Sequence, residues 1–323
     1  MDLLKKLLSI DAPSGNEEEI ADFIKAEITD FVDEISVDAL GNLIALKRGA
    51  LDASHNKIML TSNMDESGLM ATVIEESGFV RFAVIGYLQA NSLLFKKVRF
   101  QNGLIGVIGC EKEACSDIKD MFIDPLGAKI SVGDVAVVES SVAICNDYVA
   151  AKAVGNRVGC YILIELIKSI KECCNDLYFA FTVQETLGHR GAKTAAFAIE
   201  PDYAIHIGVT PSFDMPGEEK SSIKLGKGPA IKIKDASILA HPLIKELLIN
   251  AAEKLQIAYQ LDVLSKGSND AGAIHLSRGG VPSGALSIPV RFLHSPYEIC
   301  AIHDIEDAIA ILKEAIWFGG THE

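Results

Sequence analysis

The sequence is poor in everything that would bring it to a polyanion. Lysine and arginine together number 30 against 44 aspartates and glutamates, a formal charge of −14, and no dense basic run offers a local exception. A nucleic acid would be repelled at long range. Apolar runs of membrane length are also missing, since charges interrupt even Val158 to Ile170 and a span needs ~20 apolar residues. The opening MDLLKKLLSIDAPSG carries two lysines inside its apolar run, lacks the organisation of a secretory signal, and predicts a short amphipathic helix. Seven cysteines, an odd count, include no C-x-x-C pair. This argues against a disulfide framework and a zinc-thiolate site, and the expected state is the free, buried thiol of a reducing cytoplasm. No internal repeat, low-complexity segment or G-x-x-x-x-G-K-[ST] loop occurs. Leu225-Gly226-Lys227-Gly228-Pro229 precedes a strand rather than a helix and is expected to make a turn.

What is present is a chain of 323 residues, 49% hydrophobic and 23% charged, with room for one large domain or two. Ser14-Gly15-Asn16-Glu17 has the spacing of a capping box, and Ile20, Phe23, Ile24, Ile28 and Phe31 then share one helical face that should cover a sheet. Strand-like runs follow at Glu34 to Asp38, Asn42 to Lys47 and Lys57 to Ser62. From about Ser67 to Ala151 the texture changes to short β-branched runs separated by Gly, Asn and Asp, the mark of a small barrel or sandwich. After Lys152 helices alternate with strands again, with helices near Val158 to Ile170, His241 to Leu255 and Ile305 to Phe318. The expected fold is α/β: a discontinuous α/β domain over 1–66 and 152–323, interrupted by an inserted β domain over 67–151.

The stretch that focuses function is Phe179 to Ala192, FAFTVQETLGHRGA, where an apolar strand ends at Gln184-Glu185-Thr186 and a glycine-bounded loop leads into a helix. A carboxylate at the end of a buried strand is placed for chemistry, although a strand-end ion pair has the same appearance. Other loops after strands converge on the same crevice: Asn63 to Glu66, Val154 to Gly159, His206 to Asp214, Ser268 to Ala271 and Pro289 to Pro296.

Taken in order, PSG-x-E, D-x-x-GNLIA, MDE-x-G, GNRVG, TVQE, RGA, PDYAI, D-x-PG, LGKGP, NDAGAI and IP-x-RF-x-HSP make the chain resemble the glutamyl aminopeptidase or tetrahedral aminopeptidase family of dinuclear zinc exopeptidases. Some members of that family carry a cellulase or endoglucanase label. The resemblance covers nearly the whole chain. It implies a mixed-sheet, three-layer zinc-peptidase-like domain with an inserted β-barrel used in oligomerisation, and hydrolysis of N-terminal residues by two zinc or cobalt ions.

The same resemblance implies that Glu185 occupies the general-base position, Asp65 the position that orients the first ligand histidine, and His294 the last metal-ligand position. The other four ligand positions fall on Asn63, Gly155, Thr186 and Gly208. Glycine offers no side-chain donor, and an amide or hydroxyl oxygen is a poor zinc ligand beside imidazole and carboxylate. No bound metal is therefore expected. Relocation of a metal to His189, His206 and His294, weak binding of Mg²⁺ by Asn63, Asp65 and Glu185, and metal-free attack by Thr186 beside His294 are weaker alternatives. Asp214, Asn269, Asp270 and Arg291 are expected to line a retained peptide or small-ligand cleft. The resulting expectation is a cytoplasmic, catalytically impaired or inactive homologue with an assembly role, forming a homo-oligomer, dimer or dodecamer, with neither nucleic acid nor membrane as a partner. Set against it are an active metal-dependent aminopeptidase with a remodelled metal site and a scaffold with no peptide pocket.

Overall fold

The computed structural model describes residues 1–50, 56–113, 115–217 and 223–318. Its largest element is an eight-stranded mixed sheet. Four parallel strands form the middle, in the spatial order Asp176–Thr182, Lys57–Asn63, Tyr203–Pro211 and Ser283–Val290. Leu43–Lys47 and then Glu34–Val37 extend one side in antiparallel sense. Ala230–Lys234 pairs antiparallel on the other side and carries Gln260–Val263 beyond it.

The central strands are apolar along their whole length because both faces are covered. On one face Leu60, Phe181, Ile207 and Ile288 pack beneath residues of the helices Glu18–Ile28, Val154–Ser169, Pro242–Leu255 and Ile302–Phe318. On the other, Met59, Ala180 and Ala204 meet Arg190–Ile199 and Asp270–Ile274. The result is the expected three layers. The helix Val154–Ser169 begins four residues before the predicted Val158 and is buried around most of its circumference. It lies so close to the sheet that a Cβ on Gly159 would stand 2.1 Å from Ser62 Oγ and 2.6 Å from the Ile207 carbonyl oxygen.

The β-rich stretch closes into a six-stranded antiparallel barrel of Gly68–Ile74, Val80–Ile85, Lys97–Phe100, Ile105–Cys110, Met121–Asp124 and Val135–Val138. Leu69, Val98, Phe100, Ile108 and Ile123 fill its interior. Ala143–Cys145 and Tyr148–Ala151 lie outside the barrel, in a three-stranded sheet with Glu298–Ala301, and Val149 and Ala151 join the core of the large sheet.

Two local expectations are corrected. The capping box does not form: Glu17 is the N-cap residue without a side-chain cap, its Oε1 accepts from the amides of Gly15 and Gln184, and Ser14 Oγ donates to Asp65. Tertiary partners outcompete the local pairing. Nor are all seven cysteines free, since Cys110 and Cys115 form a disulfide with their Cα atoms 6.2 Å apart. The turn after Ile105–Cys110 brings them within bonding range despite the absence of any recognisable spacing motif. Among the described residues, no helix is long and apolar enough to cross a membrane.

Candidate active site

The carboxyl ends of the four parallel strands open into a cavity of about 520 Å³, at the place where open α/β sheets bind ligands. Asn63, Glu185, Thr186, His206, Gly208, His294 and Glu298 line it, and Tyr87, Leu88 and Val138 approach from the barrel side. Two lysines, Lys152 and Lys232, also reach the wall, but each is spoken for: Lys152 pairs with Asp11 and Glu66, and Lys232 with Asp262.

Asp65 is the fixed point of this end of the sheet. Fully buried, it accepts from Ser14 Oγ at 2.5 Å, Asn63 Nδ2 at 3.0 Å and the amides of Glu185 and Thr186 at 3.1 Å. These bonds lock the turn that presents Glu185. Gln184, at φ +54, starts that turn, and Thr186 Oγ1 shares a 2.5 Å hydrogen bond with Ser14 Oγ. Behind it, fully buried Arg157 donates to the carbonyl oxygens of Met64 and Ile10 and to Glu66, tying the first strand loop to the central helix.

Glu185 carries an elevated carboxyl pKa, pushed up to about 8 first by burial and then by the charges of Asp65 and Asp270. Its Oε1 lies 3.3 Å from His189 Nδ1. The same Nδ1 is 3.2 Å from Asp270 Oδ1, and Nε2 is 2.9 Å from Ser268 Oγ. Asp270 is fully buried and also accepts from Thr182 Oγ1 at 2.6 Å. Burial alone would raise Asp270, but its bonds to His189 and Thr182 and the nearby imidazoles hold it below the usual carboxylate range. His189 shows the converse: burial pulls it down, and Asp270 and Glu185 more than compensate.

His206 is a neutral imidazole at physiological pH, lowered to about 4 by burial, with Nδ1 3.1 Å from Thr61 Oγ1. His294, at φ +65, is likewise lowered by burial and lies 5.6 Å, centroid to centroid, from the Tyr87 ring. Glu298 accepts from the amides of Gly155 at 2.8 Å and His294 at 2.7 Å, and burial lifts its carboxyl to about 7.

The pattern of M42 glutamyl aminopeptidases matches residues 41–311. The chain belongs to the M42 family. A putative aminopeptidase of Acetivibrio thermocellus is 45% identical, with 98% of each chain covered. An aminopeptidase of the archaeon Desulfurococcus kamchatkensis has a solved structure that superposes with a TM-score of 0.93 at 37% identity, covering 98% of this chain and 94% of that one. The TET1 peptidase of Pyrococcus horikoshii, described as assembling into a tetrahedron or a large octahedral shell, superposes at 0.87 with 32% identity over 98% and 99% of the two chains.

Asn63, Gly155, Thr186, Gly208 and His294 all line this cavity. The space beside Gly208 is already used, whereas that beside Gly155 is tight. A Cβ on Gly208 would stand 2.5 Å from His206 Nε2, and one on Gly155 would meet Val209 Cγ2 at 3.1 Å and Glu298 Oε2 at 3.4 Å. Among the described residues no group of three or more His, Cys, Asp or Glu side chains is arranged to hold a metal ion.

The residues expected to line a cleft separate. Asn269 is on the wall, with Nδ2 donating to Asp235 at 2.7 Å. Asp270 lies beneath it, without exposed surface. Asp214 and Arg291 are not part of the cavity lining: they form a two-point ion pair at 2.9 and 2.7 Å, which holds Asp214 near 2. Glu298 falls outside the loops that the sequence directs to the crevice, whereas Ser268 heads one of them. The signal for Glu298 was its place four residues after His294, and for Ser268 its place two residues before Asp270.

Proposed function

We propose that this M42 protein uses its cavity to bind the amino end of a peptide, and that it does not hold the dinuclear metal centre of its family. The donor chemistry carries this reading: two of the five ligand positions are glycines, Asn63 and Thr186 are neutral and already hydrogen-bonded, and the His206 ring fills the space an acidic side chain at 208 would need. A cationic amino group suits the wall that remains, because both lining lysines are neutralised while the Glu185 carboxyl has, among the described residues, His189 as its one side-chain partner. An ammonium group beside Glu185 would draw its proton off and favour the carboxylate. The inserted barrel is proposed to carry contacts of a homo-oligomer, a dimer or a dodecamer, and the chain to work in the cytoplasm.

The alternative is an active metal-dependent aminopeptidase whose ions sit on other ligands. The comparisons taken alone favour it, since the Acetivibrio thermocellus relative and the Desulfurococcus kamchatkensis structure are both described as aminopeptidases. Elemental analysis of the purified protein and release of N-terminal residues from peptides with added zinc or cobalt separate the two. The expected result is well under one equivalent of metal per chain, peptide binding by calorimetry, and no release above a Glu185→Gln control. Two tightly held equivalents with Glu185-dependent turnover would establish the alternative instead.

A further inference from the structure

On the cavity wall the geometry points to a second chemistry: we propose that Ser268, His189 and Asp270 form a metal-independent acyl-transfer site for small carboxylic esters and activated amides. Three contacts motivate it. Ser268 Oγ is 2.9 Å from His189 Nε2, and His189 Nδ1 is 3.2 Å from Asp270 Oδ1. Asp270 is in turn fixed by Thr182 Oγ1 at 2.6 Å. With the proton of the neutral ring on Nδ1, donated to Asp270, Nε2 is left to accept the serine proton, which is the arrangement an activated nucleophile requires.

The burial gradient runs in the useful direction. Ser268 is exposed and borders the cavity, His189 is half-buried, and Asp270 is inaccessible. A hydroxyl on the cavity surface can meet a substrate while the group that orients its base stays out of solvent. The three residues come from different parts of the fold: the N-cap of the helix Arg190–Ile199, the loop before the helix Asp270–Ile274, and the first residue of that short helix. Glu185, 3.3 Å from the same Nδ1, is the competing acceptor. Asp270 is the nearer acceptor, at 3.2 Å, and is inaccessible and held in place by Thr182, so it takes the imidazole proton.

The bonds balance. Ser268 Oγ attacks the acyl carbon, an O–C bond forms, the bond to the alcohol or amine breaks, and the serine proton passes through His189 Nε2 to the leaving group. Water then attacks the acyl-serine, gives its proton to Nε2, releases the carboxylic acid and returns the proton to Ser268. Ser268 and His189 are the catalytic residues, and Asp270 is a positioning residue. This inference goes beyond peptide binding and does not depend on it.

A fluorophosphonate probe tests it without peptide or metal. Incubated with the full chain in EDTA and read by intact mass and peptide mapping, it should add one adduct per chain on Ser268. The Ser268→Ala variant should lose that adduct and at least tenfold of any p-nitrophenyl acetate hydrolysis. Asp270→Asn should slow labelling tenfold and shift the pH midpoint of labelling downward. The charged and titratable groups around the ring are Asp270, Glu185, Lys193 and His206, and removal of Asp270 takes away the strongest interaction holding its pKa up. An adduct elsewhere, none at all, labelling that survives Ser268→Ala, or an unmoved midpoint in folded Asp270→Asn would overturn the assignment.

Discussion

Glu17 illustrates how a buried carboxyl can serve the site and still cost stability. Its Oε1 accepts from the amides of Gly15 and Gln184, so it braces the turn that carries Glu185. Burial first, and then the charge of Asp65, raises its pKa from 4.5 to about 7 in the fold. The folded protein therefore holds this proton where the unfolded chain releases it. The stability it contributes is complete below about 4.5 and is lost as the pH rises toward 7. Glu17→Gln keeps the accepting oxygen and removes the titration. Denaturant unfolding at pH 5 and pH 8 should show the variant gaining on the parent at the higher pH, by roughly 3 kcal/mol at most. An equal gap at both pH values would show that Glu17 ionises freely. At the same scale, the His206 ring occupies the volume beside Gly208, where an added Cβ would stand 2.5 Å from its Nε2.

Among the elements, the helix Val154–Ser169 is held close against the sheet. It crosses the middle of the sheet, begins beside the cavity at Gly155, and closes on the strands only because residue 159 lacks a side chain. An added methyl there meets Ser62 Oγ, which could turn away, and the Ile207 carbonyl oxygen, which belongs to a central strand and could not. Gly159→Ala should therefore cost about 3 kcal/mol, and a Ser62→Ala background should fail to restore it, both read by denaturant unfolding. Full rescue by Ser62→Ala would mean that the helix can shift away from the strand.

For the whole molecule, the exposed apolar residues concentrate the question of assembly. Phe95 is 76% exposed at φ +60 while its neighbour Leu93 is buried in the barrel, and Tyr87 is 61% exposed on the barrel side of the cavity. Large apolar side chains of this kind on the barrel surface suit a symmetric contact between copies of the chain. Light scattering coupled to size exclusion should give a homo-oligomer mass, with a dimer and a dodecamer as the two expected values. Phe95→Ser should lower that mass. A monomer at every concentration would refute the assembly proposal.

The sequence alone determined the order of elements, the β insertion, and the convergence of Asn63, Glu185 and His294 on one crevice. Buried parallel strands are continuous apolar runs, and their loops must share one edge of the sheet. It also determined that positions 155 and 208 on the cavity wall carry no side chain, since a glycine is a fact of composition. Tertiary structure alone decided who partners whom. Ser14 is a capping residue by spacing and an Asp65 ligand in the fold; Asp214 and Arg291 are charged residues by type and satisfy each other away from the cavity. His189, Ser268 and Asp270 lie up to 81 residues apart in the chain and within hydrogen-bond reach in space. Periodicity specifies which face a residue takes along its own element, whereas a contact between loops depends on how separate elements pack, and no local pattern encodes that.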